Sequence, residues 1–202
     1  MAYSALSPEC ANTSAYLRSD ELSNALDFCP PSAELFIEKS PAMKTYTAFY
    51  KSPLGSIKIV GNQDCILSLD FVEEELPDDT DLPFCLKAGL KQVNEYFKGN
   101  RSRFLLKLNP EGTKFQRMVW RQLEKIPFGE VVSYGQIAGA IGKPNASRAV
   151  GSANGKNPIS IIIPCHRVIG SDGSLTGYGG GLWRKDWLIK HERGYLPDDM
   201  TA

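Results

Sequence analysis

The chain has 202 residues, 42% of them hydrophobic and 23% charged, and its formal net charge is zero. This is an ordinary globular composition that can bury a core of one domain or two small ones. No apolar run reaches about eighteen residues, and the N-terminus has no basic region followed by an apolar one, so we expect neither a membrane span nor a signal peptide.

The cysteines and histidines limit disulfide and metal chemistry. The five cysteines are spread along the chain without a Cys-x-x-Cys pair, and the two histidines are His166 and His191. This spacing argues against a disulfide framework and against a clustered zinc site. We therefore expect a reducing intracellular compartment, which is the cytoplasm in a bacterium and the nucleus in a eukaryote. The cysteines are Cys10, Cys29, Cys65, Cys85 and Cys165.

The zero net charge conceals an asymmetry along the chain. Residues 1–100 carry 8 Lys/Arg against 15 Asp/Glu, whereas residues 101–195 carry 15 against 6. A basic second half favours an anionic partner, with nucleic acid as the first candidate. Charge runs are also common on ordinary solvated surfaces, so this signal is weak alone.

The first half of the chain predicts an extension followed by a small α/β domain. Residues 1–42 are rich in Ser, Ala, Asn and Pro, which predicts a poorly ordered segment. After residue 43, β-branched and aromatic runs separated by "SPLGS" and "GNQD" predict a three-stranded antiparallel meander. The segment "FCLKAGLKQVNEYFKG" then predicts a helix that ends at Gly99 and has one apolar face. Its apolar residues are Leu86, Leu90, Val93 and Phe97.

The second half predicts several helices. Thr113 and Gln116 form a capping-box pattern before a helix whose apolar face is Phe115, Val119, Leu123 and Ile126. The segments "GEVVSYGQIAGAIG" and "ASRAVGSANGKNP" then predict two short helices joined by a turn, the outline of a helix-turn-helix. A plain helical hairpin packed in a core is the alternative for this pattern.

The segment "IIIPCHRVIG" carries the strongest chemical signal. Three isoleucines before Pro164 predict a buried strand that ends at the proline, which places Cys165, His166 and Arg167 where that strand meets a loop. Positive charge beside a thiol favours the nucleophilic thiolate. The alternative is an inert buried Cys165 next to an ordinary histidine.

The end of the chain predicts a loop, a helix and a tail. "SDGSLTGYGGGLW" is rich in glycine and predicts a loop that lets a ligand approach its backbone. "LWRKDWLIKHE" predicts a last helix that ends at Glu192 and has Trp183, Trp187 and Leu188 on its core face. Residues 196–202 follow as a tail.

Four motifs in order, "GEVVSYGQIA", "SRAVGSANGKNP", "PCHRVIG" and "YGGGLWRKDWLIKHE", closely resemble the O6-alkylguanine-DNA alkyltransferases, also called methylated-DNA protein-cysteine methyltransferases. The resemblance is close over residues 113–194 and holds in outline over 43–108. It implies an α/β fold: a small N-terminal α/β domain (43–108, antiparallel sheet plus helix, ribonuclease H-like), then a mostly helical C-terminal domain (113–195) with a DNA-binding helix-turn-helix.

The resemblance implies DNA repair by direct reversal of damage. A methyl or other alkyl group would move irreversibly and stoichiometrically from O6-alkylguanine in DNA to Cys165; activity on O4-alkylthymine stays open. His166, held by Glu192, would reach the sulfur through a water and draw its proton away. Asn157 would be the hinge that joins the recognition helix to the active strand. No metal or other cofactor is expected, because no histidine precedes His166 and the four earlier cysteines cannot reproduce the zinc site of some relatives.

The resemblance also implies how DNA is held. The partner would be double-stranded DNA contacted in the minor groove with the damaged nucleotide flipped out, and the protein would act as a monomer without a membrane. Arg148 would fill the vacated stack, and Tyr134 would donate to the guanine and aid rotation of its phosphate. Further backbone contacts would come from Gly135, Lys143 and Ser171, and the base pocket would be lined by Tyr178 and Gly179.

Two other functions compete at this point. One is a DNA-binding regulator or lesion-recognition module in which Cys165 is inert, and it predicts no gain of mass on methylated DNA. The other is a Cys-His hydrolase, which requires an oxyanion hole and would turn over many times on an ester or amide.

Overall fold

The computed structural model describes residues 44–73, 77 and 79–194. These residues all belong to a compact unit, Ala42–Ala202. The predicted extension at residues 1–42 and the predicted tail at 196–202 lie outside the described residues. In the part that is described, no helix is long and apolar enough to cross a lipid bilayer.

The N-terminal sheet is the predicted antiparallel meander. Its strands are β1 (Tyr46–Ser52), β2 (Gly55–Gly61) and β3 (Ile66–Val72), paired in that order. The β1–β2 turn is tight because Ser52 pairs with Gly55, whose φ of 104° suits glycine. Alternate side chains of β1 and β2 are buried, as expected for a sheet with one covered face.

Helix α1 (Phe84–Phe97) covers this sheet. It buries Leu86, Val93 and Phe97, as the sequence pattern predicts. Gly99 lies just beyond its end at a φ of 70° and donates its N–H to the Tyr96 carbonyl at 2.9 Å. The glycine therefore ends the helix where the sequence predicts a stop.

The helix-turn-helix is also present. Helix α2 (Lys114–Leu123) begins with the predicted Thr113 capping box. A short strand β4 (Val132–Ser133) leads into α3 (Tyr134–Ala140), and α4 (Ser147–Gly155) follows after a turn. The Trp120 indole of α2 donates to the Ala153 carbonyl of α4 at 2.9 Å. Helix α4 thus rests on α2 and α3.

The predicted strand at Ile161–Ile163 is wrong, although the burial predicted for these residues is right. Ile161 adopts a φ of 69°, and the Ile163 N–H bonds to the Ile159 carbonyl at 3.0 Å, so the segment is a tight bend. Left-handed backbone is rare for a β-branched residue and costs about 1–3 kcal/mol, which the surrounding packing must offset. A run of isoleucines alone gives no signal for such a bend.

After the bend, the chain forms a 3-10 turn (Cys165–Arg167) and then β5 (Val168–Ile169), which pairs in parallel with β4. The last helix is α5 (Leu182–Glu192). Trp187 and Leu188 are buried as predicted, but Trp183 is 57% exposed, so its predicted place in the core is wrong. Trp183 lies in the first turn of α5, where its ring stacks under the Arg184 guanidinium at 4.5 Å.

The two predicted domains share one core. β3 bonds to the segment before the bend, because the Leu69 N–H donates to the Pro158 carbonyl at 2.9 Å and the Leu69 carbonyl accepts from Ser160 at 2.8 Å. These bonds cross from the first predicted domain to the second. They fix the position of the chain that enters the 3-10 turn.

Candidate functional site

Cys165 lines a cavity of about 180 Å³. The cavity also takes in Tyr178 and Gly179, the two residues predicted to line a base pocket, and Asn157. Asp70 and Phe71 at the end of β3 form another part of the wall. The N-terminal sheet therefore contributes to the space in front of the thiol, which the sequence did not indicate.

The side chain of Asn157 contacts the Cys165 sulfur. Nδ2 of Asn157 donates to Sγ at 3.1 Å and to the Ile163 carbonyl at 2.8 Å, while Oδ1 of Asn157 accepts from the Ile159 N–H at 3.1 Å. Asn157 thus holds both ends of the bend and also contacts the thiol. Asn154 adds a bond from Nδ2 to the Cys165 carbonyl at 3.3 Å.

His166 and Glu192 form a buried pair. Nε2 of His166 lies 2.8 Å from Oε1 of Glu192, and the imidazole is fully buried. Within the described part of the chain, Nδ1 of His166 has no hydrogen-bond partner. The 3-10 turn is what separates the pair from the thiol, because it turns His166 towards α5 while Cys165 faces the cavity.

Arg167 and Gly129 complete the surroundings of Glu192. Arg167 donates from Nε to Oε2 and from Nη2 to Oε1, both at 2.8 Å, and the Gly129 N–H reaches Oε2 at 3.0 Å. Although burial alone would raise the pKa of Glu192, its bonds with His166 and Arg167 outweigh burial and hold the pKa well below the usual range. Glu192 is therefore ionised.

These charges decide the tautomer of His166. Burial lowers the pKa of His166 below its usual value, although the bond to Glu192 opposes that shift, so the imidazole is neutral at neutral pH. A neutral imidazole beside a carboxylate must carry its proton on Nε2, because the carboxylate can only accept. Nδ1 is therefore the basic nitrogen of His166.

The thiol itself is protonated in the free protein. Burial raises the pKa of Cys165 to about 11, even though the Asn157 hydrogen bond and the charge of Lys185 lower it. Lys185 is a fully buried residue of α5, and its Nζ donates to the carbonyls of Val168 and Thr176 at 2.6 Å each. Burial lowers the pKa of Lys185 to about 8. The site thus holds a buried thiol next to a buried ammonium group.

Tyr134, the first residue of α3, contacts the glycine-rich loop and α4. Its hydroxyl donates to the Thr176 carbonyl at 3.0 Å, the same oxygen that Lys185 binds. Its ring lies against Gly151 of α4, where a Cβ atom would stand 3.7 Å from Cε1. Tyr134 therefore links the helix-turn-helix to the glycine-rich loop that carries Tyr178.

The residues predicted to contact DNA lie at the surface of the helix-turn-helix and beyond. Arg148 is exposed at the second position of α4, and Lys143 is exposed in the turn before that helix. Gly135 is exposed at the start of α3 and faces the Ser147 hydroxyl. Ser171 is exposed in the loop after β5.

A larger groove of about 940 Å³ lies on the other side of the 3-10 turn. Arg117 and Arg121 of α2 line it, and Pro164 and Arg167 form part of its wall, but Cys165 does not. Adjacent residues of one turn therefore face two different cavities. Cys165, its hydrogen-bond donor Asn157 and the residues predicted to line a base pocket belong to the smaller one.

Sequence reasoning missed several residues of the site. Lys185 lies three residues before Leu188 and seven before Glu192, so it is on the same buried face of α5. A lysine at such a position was the sequence signal that could have identified it. The Glu192 contacts of Tyr96 and Gly129 have no local signal, because both residues are distant in sequence. Among the described residues, no three His, Cys, Asp or Glu side chains are grouped so that they could hold a metal ion.

Two protein-family models match the chain. Residues 45–110 match the model of the "6-O-methylguanine DNA methyltransferase, ribonuclease-like domain", and residues 114–194 match that of the "6-O-methylguanine DNA methyltransferase, DNA binding domain".

Two relatives match this chain over nearly their whole length. A methylated-DNA–protein-cysteine methyltransferase of Methanosarcina barkeri is 48% identical over 156 residues, which cover 75% of this chain and 99% of the relative. One of Mycolicibacterium paratuberculosis is 45% identical over 154 residues, which cover 74% of this chain and 93% of the relative.

Solved structures give the same result. The O6-methylguanine methyltransferase of Mycobacterium tuberculosis has a TM-score of 0.68 and 42% identity, covering 78% of this chain and 98% of that one. A structure of the Mycobacterium tuberculosis protein OGT in complex with DNA has a TM-score of 0.68 and 44% identity, covering 76% of this chain and 96% of that one.

Proposed function

Because this chain belongs to the 6-O-methylguanine DNA methyltransferase family, we propose that Cys165 is the residue that accepts the alkyl group. The protein is a methylated-DNA–protein-cysteine methyltransferase: it binds DNA and repairs it by moving a methyl group from O6 of guanine to one of its own cysteines. The observation that carries the assignment is the position of Cys165 in the 180 Å³ cavity, with the Asn157 amide 3.1 Å from its sulfur.

The base must leave the helix to reach this thiol. Cys165 is only 4% exposed, at the bottom of a cavity, whereas O6 of a paired guanine lies inside the base stack. Enzymes that act on such atoms extrude the nucleotide into a pocket. In our proposal the flipped guanine enters between Tyr178 and Gly179 on one side and Tyr134 on the other.

Activation of the thiol proceeds through His166. Nδ1 is the basic nitrogen of this imidazole and can take the Cys165 proton through one water, while the Glu192 carboxylate, bonded to Nε2, stabilises the positive charge that develops on the ring. Asn157 and Lys185 stabilise the thiolate, the first by its hydrogen bond and the second by its charge. A pKa of about 11 in the free protein keeps the sulfur protonated until the base is bound.

The transfer step exchanges one bond for another. The Cys165 thiolate attacks the alkyl carbon, an S–C bond forms and the C–O6 bond breaks, leaving the electron pair on the guanine. The Tyr134 hydroxyl, which donates to the Thr176 carbonyl in the free protein, turns to donate to the leaving base and so limits the charge that builds up on it. The product is a thioether, from which no side chain can expel the sulfur, so each protein molecule reacts once.

The surface of the helix-turn-helix holds the duplex. In our proposal α4 lies in the minor groove, where its small residues permit close approach, and Arg148 enters the stack in place of the flipped base. Lys143 contacts a phosphate through its charge, and Gly135 and Ser171 contact the backbone. The protein acts as a monomer on one lesion.

The test is stoichiometric transfer from duplex DNA that contains O6-methylguanine. Wild-type protein should gain the mass of one methylene group, and peptide mapping should place it on Cys165. Cys165→Ser should gain nothing yet bind the duplex as tightly as wild type. Acceptance of the methyl group by Cys165→Ser, or its location on Cys65 or Cys85, would remove Cys165 from this role.

A further inference from the structure

Tyr96 connects α1 to the buried carboxylate. It lies next to the end of α1, in the region matched by the ribonuclease-like domain, and its hydroxyl donates to Oε1 of Glu192 at 2.9 Å. Its backbone carbonyl lies 2.8 Å from Nε2 of the adjacent His191. One residue of the N-terminal region therefore holds the last two residues of α5.

The Tyr96 hydroxyl can act only as a donor here. The side chain is fully buried, with its ring edge-on to Phe97 and to Phe128. Burial, and then the charge of Glu192, raise the pKa of Tyr96 well above its usual value. The phenol therefore stays protonated, and Oε1 of Glu192 always has its donor.

This donor acts on the oxygen that sets the state of His166. Oε1 of Glu192 accepts three hydrogen bonds of 2.8–2.9 Å, from the Tyr96 hydroxyl, Nε2 of His166 and Nη2 of Arg167. A carboxylate oxygen bound in this way cannot turn away from the imidazole. Hydrogen bonds to a charged acceptor are roughly twice as strong as neutral ones, so the loss of one changes the basicity of the oxygen.

We propose that Tyr96 is a positioning residue for alkyl transfer: acting through Glu192, it holds His166 in the tautomer whose Nδ1 accepts the Cys165 proton. The inference rests on the roles proposed above for Cys165, His166 and Glu192. It gives the N-terminal domain a part in the chemistry, since the donor comes from α1.

The experiment uses Tyr96→Phe, which removes the hydroxyl and keeps the ring. Its single-turnover transfer rate constant on methylated duplex at neutral pH should fall about tenfold, because a misplaced catalytic group lowers the rate even when substrate still binds. Tyr50→Phe is the matched control. It removes the hydroxyl that bonds to Asn94 within the same domain at 3.3 Å, and it should react like wild type.

The pH profile separates positioning from a structural role. Among the described residues, the other charged groups that act on His166 and Glu192 are Arg167 and Lys185, and both are the same in wild type and variant. With one donor fewer, Glu192 pulls harder on the His166 proton and the pKa of His166 rises. The rate should therefore begin to fall at a higher pH on the acidic side of the pH–rate profile (the acid limb) in Tyr96→Phe, but not in Tyr50→Phe.

Two further results decide the matter. In a Glu192→Gln background, Tyr96→Phe should add almost no loss if it acts through Glu192. An unchanged acid limb, or a loss that simply adds to that of Glu192→Gln, would overturn the inference. An inactive wild type would instead refute the proposed function, which keeps the two failures distinct.

Discussion

Asn157 reaches the Cys165 sulfur directly: its Nδ2 lies 3.1 Å from Sγ while it also bonds the Ile163 carbonyl at 2.8 Å. A residue expected to act as a hinge is therefore also the donor that a thiolate would need. Among the influences that lower the pKa of Cys165, the Asn157 hydrogen bond is the largest. Backbone shape and thiol reactivity thus depend on one amide group.

We predict that Asn157→Ala slows transfer by about tenfold to a hundredfold, taking roughly 1.5–3 kcal/mol for a hydrogen bond to a charged group. The pKa of Cys165 rises, because the bond favours the charged form. Single-turnover kinetics across a pH series should show that the midpoint of the pH–rate profile moves to higher pH. Asn100→Ala, an exposed position outside the site, is the control. A slower rate with an unmoved midpoint would mean that Asn157 shapes the bend without tuning the thiol.

The resting state of the thiol gives a second prediction. A pKa of about 11 means that Cys165 of the DNA-free protein is a thiol at neutral pH and ionises only as the pH rises through about 11, compared with 9.0 for an unperturbed cysteine. The ultraviolet thiolate absorbance of wild type minus Cys165→Ser should therefore develop above about pH 10. A difference signal already complete at neutral pH would contradict burial as the dominant influence.

The bend before Cys165 shows where sequence reasoning stops. Local patterns predicted the meander, the capped helices and the helix-turn-helix, since periodicity and capping residues act within a few positions. The isoleucines predicted burial correctly, but the backbone there is decided by bonds to Asn157 and to Leu69 of β3. Leu69 is a tertiary partner, and Asn157, although only two to six residues away, acts through side-chain bonds that the run of isoleucines does not reveal; together they outweigh the strand preference of isoleucine.

Lys185 gives a third prediction. Lys185→Met keeps an apolar stem of similar length but removes a buried positive charge that lowers the pKa of Cys165. Transfer at neutral pH should fall by about tenfold or more, a loss of roughly 1.4 kcal/mol of transition-state stabilisation. Part of the loss should be recovered at high pH, where the thiol ionises without help. Lys190→Met, on the same helix but exposed and paired with Asp186, should keep wild-type rates.

The residues of the candidate site were predicted unevenly for a physical reason. Cys165, His166 and Glu192 were found through motifs. Lys185 left only the weak signal of a lysine at a buried helix position, and no local pattern encodes the contact of Tyr96 with Glu192. A lysine side chain becomes an electrostatic partner only when its surroundings exclude water. The structure brings Tyr96 within 2.9 Å of Glu192 across 96 positions of sequence.

The last prediction concerns Arg148, which is exposed on α4. If it only contacts a phosphate, Arg148→Ala weakens duplex binding modestly and leaves transfer at saturating DNA unchanged. The slope of the logarithm of the binding constant against the logarithm of the salt concentration becomes shallower by about one. If it occupies the vacated stack, its loss leaves the flipped state unsupported at a cost on the order of a few kcal/mol.

The two roles separate when one variant is measured on two substrates. With the stack-filling role, Arg148→Ala should slow transfer from methylated duplex by about a hundredfold or more, at tenfold per roughly 1.4 kcal/mol. The free base O6-methylguanine needs no flipping, so its reaction with Cys165 should be nearly unchanged. Lys143→Ala removes another exposed cation of the helix-turn-helix and should lose only duplex affinity. Equal losses on duplex and free base would show a folding defect and refute the stack-filling role.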